Sequence, residues 1–183
     1  MLSARSGRWR VRVEWRAVLL AALTSSMVMV PVSAQPQTTA ASQGGVGTPT
    51  VLFLCPHGAA KSVLASAYFQ REAKQRGLNV RVEAAGTDPE PDVSSAVADH
   101  LRENGYEVPV KKPRKVTPQD LAAADVVISL GCDLTGQPVR EGTLRQWNEV
   151  PGPGENLKGA DEAIRRRVTA LVEELLAERR QKL

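Results

Sequence analysis

The sequence is poor in the residues that build metal centres and disulfide scaffolds. Its 183 residues include two cysteines and two histidines. Two cysteines make neither a disulfide-dense scaffold nor a four-thiolate zinc site. No histidine pair stands with a carboxylate at metal-ligand spacing, so neither a metal nor another cofactor is expected. A membrane span of about 20 apolar residues is missing too: the apolar stretch Ala17–Val32 has 16 and includes Thr24, Ser25, Ser26 and Pro31. There is no internal repeat. With 42% hydrophobic and 24% charged residues the chain is neither wholly disordered nor a polytopic membrane protein. At this length one domain with a real core is expected.

Charge is present but unevenly placed. The 24 Lys+Arg and 20 Asp+Glu leave +4. Residues 1–34 hold Arg5, Arg8, Arg10, Arg12 and Arg16 against Glu14 alone, and everything after them contains 19 basic and 19 acidic residues. The basic excess therefore offers no support for nucleic-acid binding. A basic start, an apolar run and Val32-Ser33-Ala34 form the layout of a secretory signal peptide cleaved after Ala34. An uncleaved anchor is the alternative, for which the run is short. Residues 1–34 contain neither an Arg-Arg pair for twin-arginine export nor a cysteine for a lipid anchor. A periplasmic or secreted protein is expected, meeting the membrane only through the signal segment before cleavage.

Residues 35–49 are rich in Gln, Thr, Ala, Ser and Gly and read as a flexible linker. The folded domain is placed at 50–180. Val51-Leu52-Phe53-Leu54 has the continuous apolar pattern of a strand buried on both faces. A helix from Lys61 to Arg76 follows, stopped by Gly77. A second strand is predicted at Val80–Ala85, then a helix from a Ser94 cap to about Asn104. Thr117-Pro118-Gln119-Asp120 starts a short helix with Thr as cap and Pro at the first position. A third strand is read at Val126–Leu130, a weaker fourth at Leu144–Trp147, and a closing helix at Asp161–Arg180. Strands alternating with helices imply an α/β domain with a parallel sheet between helical layers. Such sheets bind ligands at the carboxyl ends of their strands.

The first strand ends in Cys55-Pro56-His57-Gly58-Ala59-Ala60-Lys61-Ser62. Backbone N–H groups in a short loop that opens onto a helix N-terminus converge as an anion nest. The same field, with Lys61 nearby, favours the thiolate of Cys55 and makes it a nucleophile. A buried cysteine acting as a small hydrophobe is the alternative, but the strand-end position favours chemistry. Gly58-Ala59-Ala60-Lys61-Ser62 is not a nucleotide-binding P-loop, which needs glycine where Cys55 and Ala60 stand.

Cys-x5-Lys-Ser after a first strand resembles the Cys-x5-Arg-Ser/Thr loop of low-molecular-weight protein tyrosine phosphatases and their arsenate-reductase relatives. The likeness continues through Ala85-Gly86-Thr87, the run Ala124–Asp133, Trp147 and Val150-Pro151-Gly152-Pro153, in the family's order. It implies a three-layer fold with a four-stranded parallel sheet of order 2-1-3-4. It also implies oxyanion binding by His57, Gly58, Ala59, Ala60, Lys61 and Ser62, with Cys55 as nucleophile and Ser62 supporting the thiolate. The expected partner is a phosphate-like oxyanion or phosphoester, and the expected state is a monomer.

Three positions depart from the family. Lys61 replaces an arginine that holds a phosphoryl group through two parallel donors. One charge-assisted hydrogen bond is worth about 1.5–3 kcal/mol. Gly152 stands where the family has its general-acid aspartate, a loss of about 10²–10⁴ in rate, for which Glu149 or Glu155 is the candidate substitute. Gly58 replaces an asparagine and tolerates positive φ equally well. Weak hydrolysis of activated aryl phosphates and almost none of phosphotyrosine is expected. A non-catalytic oxyanion-binding module is the second reading. Cys132, following the third strand on the same sheet edge, is the redox partner in a third, arsenate-reductase-like reading. His57 is either a loop hydrogen-bonder or solvated, while His100 and Arg165-Arg166-Arg167 read as surface.

Overall fold

The computed structural model describes residues 47–181. The expected signal segment 1–34 and linker residues 35–46 lie outside the described residues. Eight elements follow in order: β1 (Thr50–Cys55), α1 (Lys61–Gln75), β2 (Arg81–Gly86), α2 (Ser95–Glu103), α3 (Pro118–Ala123), β3 (Val126–Ser129), β4 (Leu144–Gln146) and α4 (Pro153–Gln181). The sheet is parallel throughout with order β2-β1-β3-β4, the order implied by the resemblance.

β1 lies centrally, which explains its unbroken apolar run. Val51, Phe53 and Cys55 face one cluster with residues from α1, α2 and α4. Leu52 and Leu54 face another with Leu121 of α3 and Ala124. Phe53 anchors the larger layer, its ring 5.5 Å from Phe69 and 5.9 Å from Trp147. The chain leaves β1 toward β2 on one side and later adds β3 on the other. That reversal opens a crevice at the carboxyl end of β1, the switch point of an open α/β sheet.

The helix ends show where local rules hold. Thr117 Oγ1 accepts from the Asp120 N–H (3.1 Å) while Asp120 accepts from the Thr117 N–H (2.8 Å), a reciprocal cap that satisfies two orphan donors. Ser94 sits at the start of α2 but its side chain makes no cap bond. Its N–H goes instead to the carbonyl of Ala59 (3.0 Å). The last helix begins at Pro153, eight residues earlier than predicted, with a break at Asn156 (φ −149°, ψ 77°). Asn156 Oδ1 then accepts from the Gly159 N–H (2.8 Å) and recaps the longer segment.

His100 and Arg165 are corrected by the structure. Neither is a plain surface residue, because Asp161 gathers them into a cluster joining α1, α2 and α4. Tyr68 donates its hydroxyl to Asp161. His100 Nε2 lies 3.0 Å from the same carboxylate, and Arg165 Nε lies 2.9 Å from its other oxygen. The Arg165 guanidinium covers the Tyr68 ring at 4.0 Å and donates to Tyr106 Oη at 2.7 Å. Arg167 pairs with Glu149 at 2.6 Å. Arginine triplets on a helix look solvated only until their neighbours from other elements are known.

Burial pushes the Asp161 carboxyl upward, but hydrogen bonds from Arg165, Tyr68 and His100 outweigh it and hold it below the usual range. A carboxylate depressed in the folded state contributes stability above its unfolded value of about 3.9, lost as pH falls through the folded value. Asp161→Asn is therefore expected to cost about 1–3 kcal/mol at neutral pH and to make stability fall less steeply below about pH 4. Urea melts at pH 7, 4 and 2.5 check this. Parallel pH profiles for the two proteins would contradict it.

Candidate functional site

Cys55 is the last residue of β1 and is buried, 3% exposed. Its Sγ lies 3.2 Å from Ser62 Oγ, which is fully buried in the first turn of α1. Between them the chain makes a tight loop. Gly58 has φ +62°, and its N–H reaches back to the Cys55 carbonyl at 3.3 Å. Left-handed backbone suits glycine, and the space demands it as well. A Cβ on Gly58 would stand 2.8 Å from the Gly86 nitrogen, and one on Gly86 would stand 2.6 Å from the Gly58 nitrogen. The loop and the end of β2 touch backbone to backbone.

The segment after β2 holds the loop in place. The N–H groups of Asp88, Glu90 and Ser94 donate to the carbonyls of Pro56 (2.8 Å), His57 (3.0 Å) and Ala59 (3.0 Å). Thr87 Oγ1 adds a longer bond to the Pro56 carbonyl at 3.4 Å. Three loop carbonyls are thus turned away and satisfied. Among the described residues, the N–H groups of His57, Ala59 and Ala60 have no protein acceptor. The first turn of a helix leaves further donors unpaired at Lys61, Ser62 and Val63. Donors without acceptors at a helix start form an anion cradle.

The loop borders a cleft of about 550 Å³. Cys55, Pro56, His57, Ala59, Ala60 and Lys61 supply part of its wall; Glu90 and Ser94 and the turn Gly152–Glu155 supply the rest. Gly58, expected to contribute, shapes the loop from behind and does not line the cleft. His57 is exposed, its Nδ1 3.8 Å from Glu90 Oε1. Glu90 was not singled out from the sequence, and Ser94 only as a helix cap. They lie over 30 residues from Cys55, and the backbone bonds that bring them there leave no mark in residue type.

The two candidate acids separate. Glu149 is held by Arg167, and although burial raises its carboxyl, hydrogen bonds from its own backbone N–H and from Arg167 leave it below the usual range. It does not line the cleft. Glu155 does, and its Oε2 lies 3.9 Å from the point where a Cβ on Gly152 would begin.

Cys132 follows β3, at the strand edge that carries Cys55. Ser129 Oγ folds the turn, accepting from the Cys132 N–H (3.0 Å) and donating to its carbonyl (3.1 Å). Lys61 Nζ reaches this turn, 3.4 Å from the Cβ position of Gly131. Both cysteines are free thiols. Burial, then the charge of Cys55, pushes the Cys132 thiol up to about 11, against hydrogen bonds from Thr87 and Ser129 and the charge of Lys61. No group of His, Cys, Asp and Glu that could hold a metal is found among the described residues.

A parallel sheet whose central strand ends in a cysteine, followed by a donor-rich loop and a helix start, defines a class of α/β domain with an anion loop at its switch point. The chain belongs to the low molecular weight phosphotyrosine protein phosphatase family, whose profile matches residues 50–180. Among curated proteins it is 28% identical over 127 residues to a proposed arsenate reductase of Halobacterium salinarum, covering 67% of this chain and 89% of that protein. Among solved structures, the thioredoxin-dependent arsenate reductase of Corynebacterium glutamicum is 28% identical with a TM-score of 0.63. That match covers 72% of this chain and 63% of the Corynebacterium chain, so this chain spans less than two thirds of that relative's length. A protein tyrosine phosphatase of Entamoeba histolytica, 17% identical over 72% of this chain and 99% of its own, shares the fold with a TM-score of 0.65.

Thiolates, not thiols, are alkylated. Cys132 is therefore expected to react slowly with iodoacetamide at pH 7.5 and to gain rate until about pH 11. Cys55→Ser removes one upward influence and is expected to speed that labelling at fixed pH. Peptide mass mapping measures both; a plateau below pH 9, or no response to Cys55→Ser, would contradict the assignment.

Proposed function

We propose that this protein binds phosphate-type oxyanions at the Cys55 loop and slowly hydrolyses phosphomonoesters through a cysteinyl-phosphate. One observation carries the reading: the carbonyls of Pro56, His57 and Ala59 are bound elsewhere while the loop N–H groups and the Ser62-paired thiol remain. A phosphoryl group resting on those donors presents its phosphorus to Cys55 Sγ. The thiolate attacks, the ester oxygen leaves, and water then cleaves the P–S bond, returning the thiolate and inorganic phosphate. The N–H groups and Lys61 stabilise charge on the equatorial oxygens. Ser62 Oγ, 3.2 Å from Cys55 Sγ, donates to the sulfur and supports it as the leaving group of the second step.

The rate is expected to be low for two reasons already visible in residue type. Lys61 supplies one flexible point charge where a guanidinium supplies a fixed fork, and its Nζ also reaches toward Gly131. Gly152 supplies no proton to a leaving oxygen. We also propose that the protein acts outside the cytoplasm, on the support of the basic start, the apolar stretch 17–32 and Val32-Ser33-Ala34.

A second reading is supported by the proximity of Cys132 to Cys55 and by the arsenate reductases among the relatives. Cys55 Sγ would bond arsenic as one arsenate oxygen leaves as water, and Cys132 would then attack Cys55 Sγ, the S–As electron pair departing with arsenic. The protein would gain a disulfide, and arsenic would leave reduced as arsenite. The Cys132 thiol, held high first by burial and then by the charge of Cys55, disfavours this reading.

Steady-state rates on p-nitrophenyl phosphate and phenyl phosphate test the first reading. Protein recovered from the expressing cell is expected to begin at Gln35 and to hydrolyse the nitrophenyl ester, with Cys55→Ser at background. Gly152→Asp is expected to raise phenyl phosphate turnover at least about tenfold. Equal rates in the parent and Cys55→Ser would remove the hydrolytic reading and leave the non-catalytic binding module or the redox reading. Arsenite release with a two-proton mass loss, when arsenate replaces the ester, would favour the redox reading.

A further inference from the structure

The geometry points to Glu155 as the general acid and base of this site, displaced by three residues from the turn position that Gly152 leaves bare; the inference rests on the phosphomonoester reading above. Of the carboxylates among the described residues, Glu90 and Glu155 line the cleft that contains Cys55. Glu90 follows the anion loop from behind β2, its backbone N–H tied to the His57 carbonyl and its side chain 3.8 Å from the His57 ring. It belongs to the wall that grips the anion. Glu155 comes from the separate turn that completes the cleft.

The backbone of that turn is well defined. The Gly152 carbonyl accepts from both the Glu155 N–H (3.1 Å) and the Asn156 N–H (2.9 Å). This closes a single turn, and Asn156 then leaves helical geometry to recap the helix. The closed turn folds residue 155 back over residue 152, which is why Oε2 stands 3.9 Å from the bare Cβ position. Any side chain on residue 152 would start in the space this carboxylate now borders. The glycine thus leaves room for a longer acid to enter from one turn further along. Among the described residues no ion pair holds Glu155 elsewhere, whereas Glu149 is bound to Arg167.

The chemistry balances with this one group. In the first step Cys55 Sγ bonds to phosphorus, the P–O ester bond breaks, and the protonated Glu155 gives its proton to the departing oxygen. In the second, the Glu155 carboxylate takes a proton from the water that attacks phosphorus. The P–S bond breaks, the thiolate returns, and Glu155 is again protonated. An acid on a flexible three-bond side chain is less fixed than one on a shorter stem, so the activity it supports is modest.

Glu155 is exposed, so Glu155→Gln is expected to fold and to bind inorganic phosphate as the parent does. Its effect should depend on the leaving group. Phenyl phosphate, whose phenolate needs a proton, should lose at least about tenfold in kcat, while p-nitrophenyl phosphate should change less than threefold. Gly152→Asp in the Glu155→Gln background should restore turnover of phenyl phosphate. No change on either ester, or an equal loss on both, would overturn the assignment while leaving Cys55-dependent hydrolysis intact. A parent no faster than Cys55→Ser would overturn the hydrolytic reading itself, and Glu155 with it.

Discussion

The site depends on three backbone hydrogen bonds that contain no catalytic atom. Asp88, Glu90 and Ser94 take the carbonyls of Pro56, His57 and Ala59. A peptide group points its carbonyl and its N–H in opposite directions, so anchoring the Pro56 and Ala59 carbonyls outward commits the N–H groups of His57 and Ala60 to the other side. A short loop free of this restraint would have both kinds of group competing for the same space. Preorganised donors stabilise charge without reorganising when it appears. The contact between Gly58 and Gly86 follows from the same constraint, because the segment that accepts the loop must approach it closely. The nucleophile and the helix behind it acquire their meaning from that restraint.

The sheet order explains why the restraint falls at Cys55. β1 is central, flanked by β2 and β3, and the strand that reaches furthest into the core delivers its last residue to the crevice. Phe53 between Phe69 and Trp147 fixes that strand against α1 and the segment leading to α4. On the far side of α1, Asp161 ties α1 to α2 and α4 through Tyr68, His100 and Arg165. The turn Gly152–Glu155 is thus attached, through α4, to the same helix whose first turn cradles the anion. Loop and turn keep their relation because both are joined to α1.

Much of this was legible in residue order. The parallel sheet, its strands and the Cys55–Ser62 loop follow from apolar runs, glycine stops and a strand-end cysteine. The signals that failed were those needing a second element. Ser94 stands at the cap position of α2 as its residue type suggests, yet its side chain makes no cap bond, while its N–H holds the Ala59 carbonyl. His100 on α2 becomes a half-buried partner only because Asp161 is brought across from α4, and Arg165, one turn from Asp161 on α4 itself, is drawn in because Tyr68 and Tyr106 come from other segments. The start of the last helix was hidden because Pro153 opens one turn and Asn156 opens another. Glu149 and Glu155 were equal in the sequence, six residues apart; Arg167, 18 residues beyond the first, separates them. Residue type reports local preference, and long-range pairing decides which preference is used.

The central claim is that the loop N–H groups form a prepared oxyanion site, independent of how fast any ester is cleaved. Amide proton–nitrogen NMR spectra recorded during titration with inorganic phosphate test it most directly. The expected result is saturable shifts concentrated at His57, Ala59, Ala60, Lys61, Ser62 and Val63, with smaller ones at Gly152–Glu155 and none along β4. Shifts that never saturate, or that appear on surface lysines while residues 57–63 stay still, would contradict the account.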